Sequence, residues 1–184
     1  MGQIASNPPK VASAAPLLCM RGIARDFDGV RALDDVNFDL REGEVHVLLG
    51  ENGAGKSTLI NIMTGALRPT RGQVELKGQA VALHSANHAR SLGISAVYQE
   101  FSLVGSMTVA ENLFLGGELT RIGFLSKRAM RQSARAFLDE LGFEIDEDVA
   151  VEDLTRGRQQ MVEISKALMT RPKVLIFDEP TASL

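Results

Sequence analysis

Gly50-Glu51-Asn52-Gly53-Ala54-Gly55-Lys56-Ser57 is the stretch whose reading decides the fold. It satisfies G-x-x-x-x-G-K-[ST] at every specified position. The apolar run Val45-His46-Val47-Leu48-Leu49 precedes it, and a helix-forming segment from Lys56 to about Ala66 follows. A short apolar run of this kind predicts a buried strand, so the expected order is strand, glycine-rich turn, helix. Glycines let the backbone curl until successive N–H groups point inward at phosphate oxygens. The helix N-terminus adds partial positive charge and free donors. Lys56 would place a cation on the β- and γ-phosphates, and the Ser57 hydroxyl is a hard oxygen ligand suited to Mg²⁺.

A second run, Val174-Leu175-Ile176-Phe177-Asp178-Glu179, carries four apolar residues and then two acids. It predicts a buried strand whose C-terminal end meets a phosphate crevice. Asp178 would hold Mg²⁺ through its water shell. Glu179 is placed to orient or deprotonate an attacking water. Such an ending is common by itself, and its pairing with the complete loop at Gly50–Ser57 gives it functional weight.

Working outward, Leu17 to Asp28 reads as extended, and Val36-Asn37-Phe38-Asp39-Leu40 alternates like a half-buried strand. Gln73 to Gly78 and Ile94 to Tyr98 are further strands. Thr108 with Glu111 forms a capping box. From Ser126 to Leu141 the apolar positions Met130, Ala134, Phe137, Leu138 and Leu141 share one helical face. Another helix runs from about Arg158 to Met169, and Pro172 breaks it.

The 184 residues, 45% hydrophobic, are enough for one domain with a substantial core. Net charge is −3 with both signs interspersed, without the basic stripe that nucleic acid favours, so no nucleic-acid partner is expected. Cys19 is the only cysteine, so no intrachain disulfide forms, which fits a reducing compartment. Residues 1–16, rich in Ser, Ala and Pro, read as a flexible tail without the apolar stretch of a signal peptide. No apolar run approaches the roughly 20 residues of a bilayer span. At a membrane, another chain would do the crossing.

At this point the sequence resembles the nucleotide-binding domain of ATP-binding cassette (ABC) transporters, within them the monosaccharide importers of the ribose, xylose and galactose type. The resemblance runs from Leu17 to Leu184. It is carried by Phe27 to Leu33, Gly50 to Leu59, Tyr98-Gln99-Glu100, Thr108 to Asn112, Gln159 to Leu168, and Asp178-Glu179-Pro180-Thr181. Gln160-Met161-Val162-Glu163-Ile164, following Gln159, points to the sugar branch.

The resemblance implies an α/β P-loop NTPase with a RecA-like core, an antiparallel β subdomain and a helical ABC-specific subdomain. The core would take residues 17–100 and 171–184, and the helical subdomain about 101–170. Phe27 matches the aromatic that stacks on adenine. Gln99 matches the glutamine that contacts Mg²⁺ and the attacking water and links the site to the membrane subunit. Thr58 joins Gly50, Glu51, Asn52, Gly53, Ala54, Gly55, Lys56 and Ser57 in the nucleotide site. Catalysis would fall to Glu179, Lys56 and Gln99, and the metal to Ser57, Gln99 and Asp178. Residues 101–118 would help form the groove for the permease's coupling helix.

Leu154-Thr155-Arg156-Gly157-Arg158 stands where the family has its signature motif, L-S-G-G-Q. Thr155 keeps a hydroxyl and Gly157 is retained, so both are expected at the phosphate bound by an opposing cassette. Arg156 and Arg158 depart from the pattern; Arg158 either adds a charge-assisted phosphate contact or is tolerated. The chain stops at Leu184, and the family's switch histidine and second cassette are expected beyond it, so incompleteness at the C-terminus is the expectation. His46 is expected on a strand, and His84 and His88 on a solvated surface.

The implied cofactors are ATP and Mg²⁺. The implied partners are membrane permease subunits, a second cassette forming a dimer and, indirectly, a periplasmic sugar-binding protein. The site would sit at the cytoplasmic face of a bacterial inner membrane. Two alternatives stay open: a non-catalytic ATP-binding module, and a soluble ABC protein acting on nucleic acid.

Overall fold

The computed structural model describes residues 15–51, 53–98, 101–121 and 123–178. The chain divides into two compact units.

The first unit takes residues up to Leu49 together with Pro69–Ala82. Its antiparallel strands are β1 (Leu18–Phe27), β2 (Val30–Leu40), β3 (Arg71–Leu76) and β4 (Gln79–Val81), in the order β2-β1-β3-β4. Two-residue turns close both outer hairpins. Asp28 and Gly29 have φ of 35° and 91°, and Lys77 and Gly78 have 52° and 75°. Positive φ at both central residues is the turn whose twist matches paired strands. Leu18, Met20, Ile23 and Val74 bury the inner face. At Gly72 an added Cβ would lie 2.5 Å from the carbonyl oxygens of Arg21 and Gly22. Only glycine permits that approach, where the β1–β3 register shifts.

The apolar run before the glycine loop departs from expectation. Residues 44–51 form no strand, and Val45, Val47 and Leu49 are 90%, 65% and 89% exposed. An apolar run becomes a buried strand only where flanking strands take up its N–H and C=O groups, and no described strand pairs with it. His46 is therefore not a strand histidine. Its ring packs on Phe38 at 4.7 Å, and its Nδ1 lies 3.4 Å from Glu44.

The second unit takes residues 50–68 and those from Leu83 onward. It contains the helices α1 (Lys56–Met63), α2 (Ala86–Ser91), α3 (Val109–Leu113), α4 (Lys127–Glu140) and α5 (Arg156–Met169). Its strands are β5 (Ile94–Val97), β6 (Thr120–Arg121), β7 (Phe124–Leu125) and β8 (Val174–Phe177). β5 and β8 pair in parallel, and β6 and β7 form a short hairpin. β8 is less buried than its composition suggests, since Val174 alone is buried and Phe177 is 46% exposed.

The helical core gathers Val109, Leu113, Met130, Leu138, Ile145 and Val162. The periodicity expected between residues 126 and 141 is realised, with Met130, Ala134 and Leu138 inside. The capping box forms as expected: the Thr108 hydroxyl accepts from the Glu111 N–H, and the Glu111 carboxylate accepts from the Thr108 N–H. That second bond, helped by Lys127, holds the Glu111 carboxyl below its ordinary pKa.

Asn112 is fully buried beside this box. Its Oδ1 accepts from Val104 N–H at 2.8 Å, and its Nδ2 donates to the carbonyls of Val104, Met107 and Thr108. One amide side chain thereby shapes the whole 104–108 turn.

Among the described residues no helix is long and apolar enough to cross a membrane.

Candidate nucleotide site

The glycine loop is built by two left-handed residues and one folded-back lysine. Gly53 and Gly55 both have φ of 85°, a conformation costly for any residue with a Cβ. Ala54 N–H donates to Glu51 O at 3.1 Å and closes the bend. At Gly50 an added Cβ would come within 3.3 Å of the Ala54 Cβ. The half-buried Lys56 curls over the loop, and its Nζ donates to Gly50 O at 2.7 Å and Glu51 O at 2.9 Å.

Gly55 is the N-cap of α1, which has no side-chain cap and no acid in its first turn. First-turn N–H groups have no intrahelical acceptor, so this helix end offers donors and positive potential to an anion. Ser57 is exposed there and Thr58 half-buried, while Leu59, Ile60, Ile62 and Met63 anchor the helix in the interior.

Asp178 follows β8, and its N–H donates to Val97 O at 3.0 Å, continuing the parallel ladder. The Ser57 hydroxyl and Asp178 carboxylate are both hard oxygen donors, a set that suits Mg²⁺.

α5 begins where the signature motif is expected. Its N-cap Thr155 is extended (φ −62°, ψ 154°), and its side chain makes no capping bond. Thr155 and Arg158 are exposed. An added Cβ at Gly157 would meet nothing within 4 Å, so the helix start is open at that point. The Arg156 guanidinium lies 4.3 Å from the Phe101 ring centroid, which gives this departure from the motif a cation–π partner. Gln159 Nε2 donates to Val151 O and Leu154 O and holds the approach to the helix.

Phe27 belongs to the first unit, where it ends β1 at 38% exposure with the Arg25 guanidinium 4.6 Å above its ring. Asn52, Gln99 and Glu179 lie outside the described residues, as do residues 1–14 of the expected tail. The structure thus assembles Gly50, Glu51 and Lys56 into one loop. No hydrogen bond among the described residues joins that loop to Asp178 or to the first turn of α5.

Sequence reasoning missed Asn112 and a group at Ser102, Glu163 and Lys166. The Ser102 group joins segments 61 to 64 residues apart, whereas Asn112 reaches only four to eight residues back, and the neighbouring capping box was its one local signal. A groove of about 840 Å³ lies elsewhere, along α4. Lys127 pairs with Glu111 at 3.1 Å, Arg131 with Asp148, and Arg135 with Glu147 at 3.6 Å. Its four basic and four acidic lining residues balance, so it offers a phosphate no net positive charge and does not compete as the phosphate site.

The family profile described as ABC transporter matches residues 33–182. The chain belongs to the ABC transporter family. Within that family it is 56% identical over 169 residues to the ribose import ATP-binding protein RbsA 1 of Rubrobacter xylanophilus, covering 92% of this chain and 34% of that protein. It is 46% identical to the arabinose import ATP-binding protein AraG of Yersinia pestis, covering 94% of this chain and 33% of that one. The chain therefore spans about a third of the length of these curated relatives.

Among solved structures, the fold matches an ATP-binding cassette of an ABC transporter in its ADP conformation. The TM-score is 0.79 at 30% identity, over 93% of this chain and 71% of that one. A nucleotide-free cassette matches with a TM-score of 0.77 at 29% identity, over 92% and 71% of the two chains. The expected α/β P-loop architecture is the family's fold.

Proposed function

We propose that this chain binds ATP with Mg²⁺ and supplies part of the ATP-hydrolysing machinery of a sugar importer. The observation that carries the reading is the glycine loop, where Lys56 closes over Gly50 and Glu51 at the uncapped start of α1. A triphosphate entering the loop would replace those two carbonyls as acceptor for the Lys56 ammonium. It would also meet the free N–H groups of the first turn. Mg²⁺, where bound, would neutralise charge on the β- and γ-phosphoryl oxygens, with Ser57, Asp178 and Gln99 as its protein-side partners.

Catalysis then rests on position and electrostatics. Lys56 stabilises charge on the transferred phosphoryl group, Gln99 and Glu179 manage the water, and Phe27 offers its ring to the base. Thr155 and Gly157 face the nucleotide of a second cassette. Membrane permease subunits form the transport path, with a periplasmic sugar-binding protein acting through them, and the chain works at the cytoplasmic face of the membrane. The division into a core, residues 17–100 and 171–184, and a helical part at about 101–170 belongs to the same proposal. The sugar assignment is supported by the ribose and arabinose import relatives.

The test is Glu179→Gln in the ATPase assembled with its membrane partner. Nucleotide affinity should stay within about threefold while turnover falls by about 100-fold or more, the scale lost when a well-placed proton acceptor is removed. Retained turnover would remove hydrolysis at this site from the account.

A further inference from the structure

Ser102 spends every polar group it has on one face of α5. Its N–H donates to Glu163 Oε2 at 3.1 Å and its Oγ–H to Oε1 at 2.7 Å. Its carbonyl and hydroxyl oxygens accept from Lys166 Nζ at 3.2 and 3.3 Å. Glu163 is 3% exposed, and burial lowers the Lys166 pKa below its ordinary value, with Glu163 opposing that shift and Arg90 adding to it. Phe101, the preceding residue, carries the Arg156 guanidinium on its ring. Arg156 and Glu163 are seven residues apart, two turns along one helical face.

The segment 101–102 is thus fastened to α5 at its first turn and again two turns on. In the other direction, Ser102 stands five residues beyond Val97, whose carbonyl accepts the Asp178 N–H. A buried carboxylate and a half-buried ammonium are a costly way to hold two segments together, since apolar residues of similar volume are often neutral or stabilising. What the polar clamp adds is a defined position.

We propose that Glu163, with Lys166, is a positioning residue. It locks Ser102 to the signature helix, so that a shift of α5 on engaging a second cassette's nucleotide is delivered to the end of β5 beside Asp178. This rests on the ATPase reading above. It adds a residue that touches neither nucleotide nor metal and yet governs turnover.

The test compares Ser102→Ala, Glu163→Ala, their double variant and Glu163→Gln in the ATPase assembled with its membrane partner, with Glu179→Gln alongside. Turnover is counted per nucleotide-binding site, so loss of folded protein does not register as loss of kcat. Each single alanine variant should lower kcat by about tenfold, the scale of one charge-assisted hydrogen bond, with KM for ATP and nucleotide Kd within about twofold. The double variant should fall well short of the product of the two single losses, because both loosen the same clamp. Glu163→Gln, which keeps an acceptor for Ser102, should recover most of the rate.

Ser102 is exposed, so Ser102→Ala removes both hydroxyl bonds of the clamp, the 2.7 Å bond to Glu163 among them, without emptying the core, and it decides the question if Glu163→Ala does not fold. Wild-type kcat in Ser102→Ala, or multiplying losses in the double variant, would overturn the positioning role while Glu179→Gln still abolished turnover. Full turnover in Glu179→Gln would overturn the ATPase reading and this proposal together.

Discussion

Replacing Lys56 by alanine is expected to weaken Mg-ATP binding by about 30- to 100-fold, the worth of a charge-assisted hydrogen bond in a partly desolvated site. Lys56 has no ion-pair partner among the described residues, and its ammonium is held over the loop by Gly50 O and Glu51 O at 2.7 and 2.9 Å. A phosphate can take over both bonds with little reorganisation, so the lysine is set in position before the ligand arrives. Its removal should cost affinity more than folding, because α1 is anchored by Leu59, Ile60, Ile62 and Met63 on its other face. Titration calorimetry, with thermal melting of the ligand-free chain as control, measures both. Affinity within threefold of wild type would show that the loop does not grip phosphate through this cation.

The second large effect is on stability. Asn112→Ala should destabilise the fold by about 3 kcal/mol, because in a buried site the Val104 N–H loses its Asn112 acceptor and three carbonyls each lose one of two donors. In a domain of this size that corresponds to a fall in melting temperature of about 6–12 °C. Asn112 is fully buried and serves the Val104 N–H and the carbonyls of Val104, Met107 and Thr108. Asn112→Asp separates shape from hydrogen bonding. A carboxylate of the same size can still accept from Val104, yet it cannot donate to three carbonyls and adds a buried charge. It should be at least as damaging as alanine, read by calorimetry at neutral pH. Wild-type stability in Asn112→Asp would mean that the turn holds itself.

What the sequence disclosed, and what it concealed, follows the range of the interactions concerned. The glycine loop and the Thr108–Glu111 box were legible because each is completed within a few residues by backbone geometry and a nearby side chain. The Met130, Ala134 and Leu138 stripe was legible because one helix face suffices to state it. The run Val45–Leu49 misled because apolar composition signals burial without naming the strands that must flank it, and here it is exposed. The Asp28-Gly29 and Lys77-Gly78 hairpins went unread although their glycines are a local sign. Glu163 and Ser102 could not have been paired in advance, since 61 residues separate them and only the packing of α5 brings them together.

Arg156 shows the same limit at the signature position. Against the family pattern it is a departure from glycine. In the fold its guanidinium has the Phe101 ring to rest on.

Whether the backbone of the glycine loop itself receives the triphosphate is measured most directly by amide chemical shifts during titration with a non-hydrolysable ATP analogue and Mg²⁺. The largest, saturable shifts should fall on Gly53 to Thr58, with the Gly53, Gly55 and Lys56 amides moving downfield as they take phosphate acceptors. Saturable binding whose shifts cluster elsewhere, for example along α4, with residues 53–58 unmoved, would contradict binding at this loop.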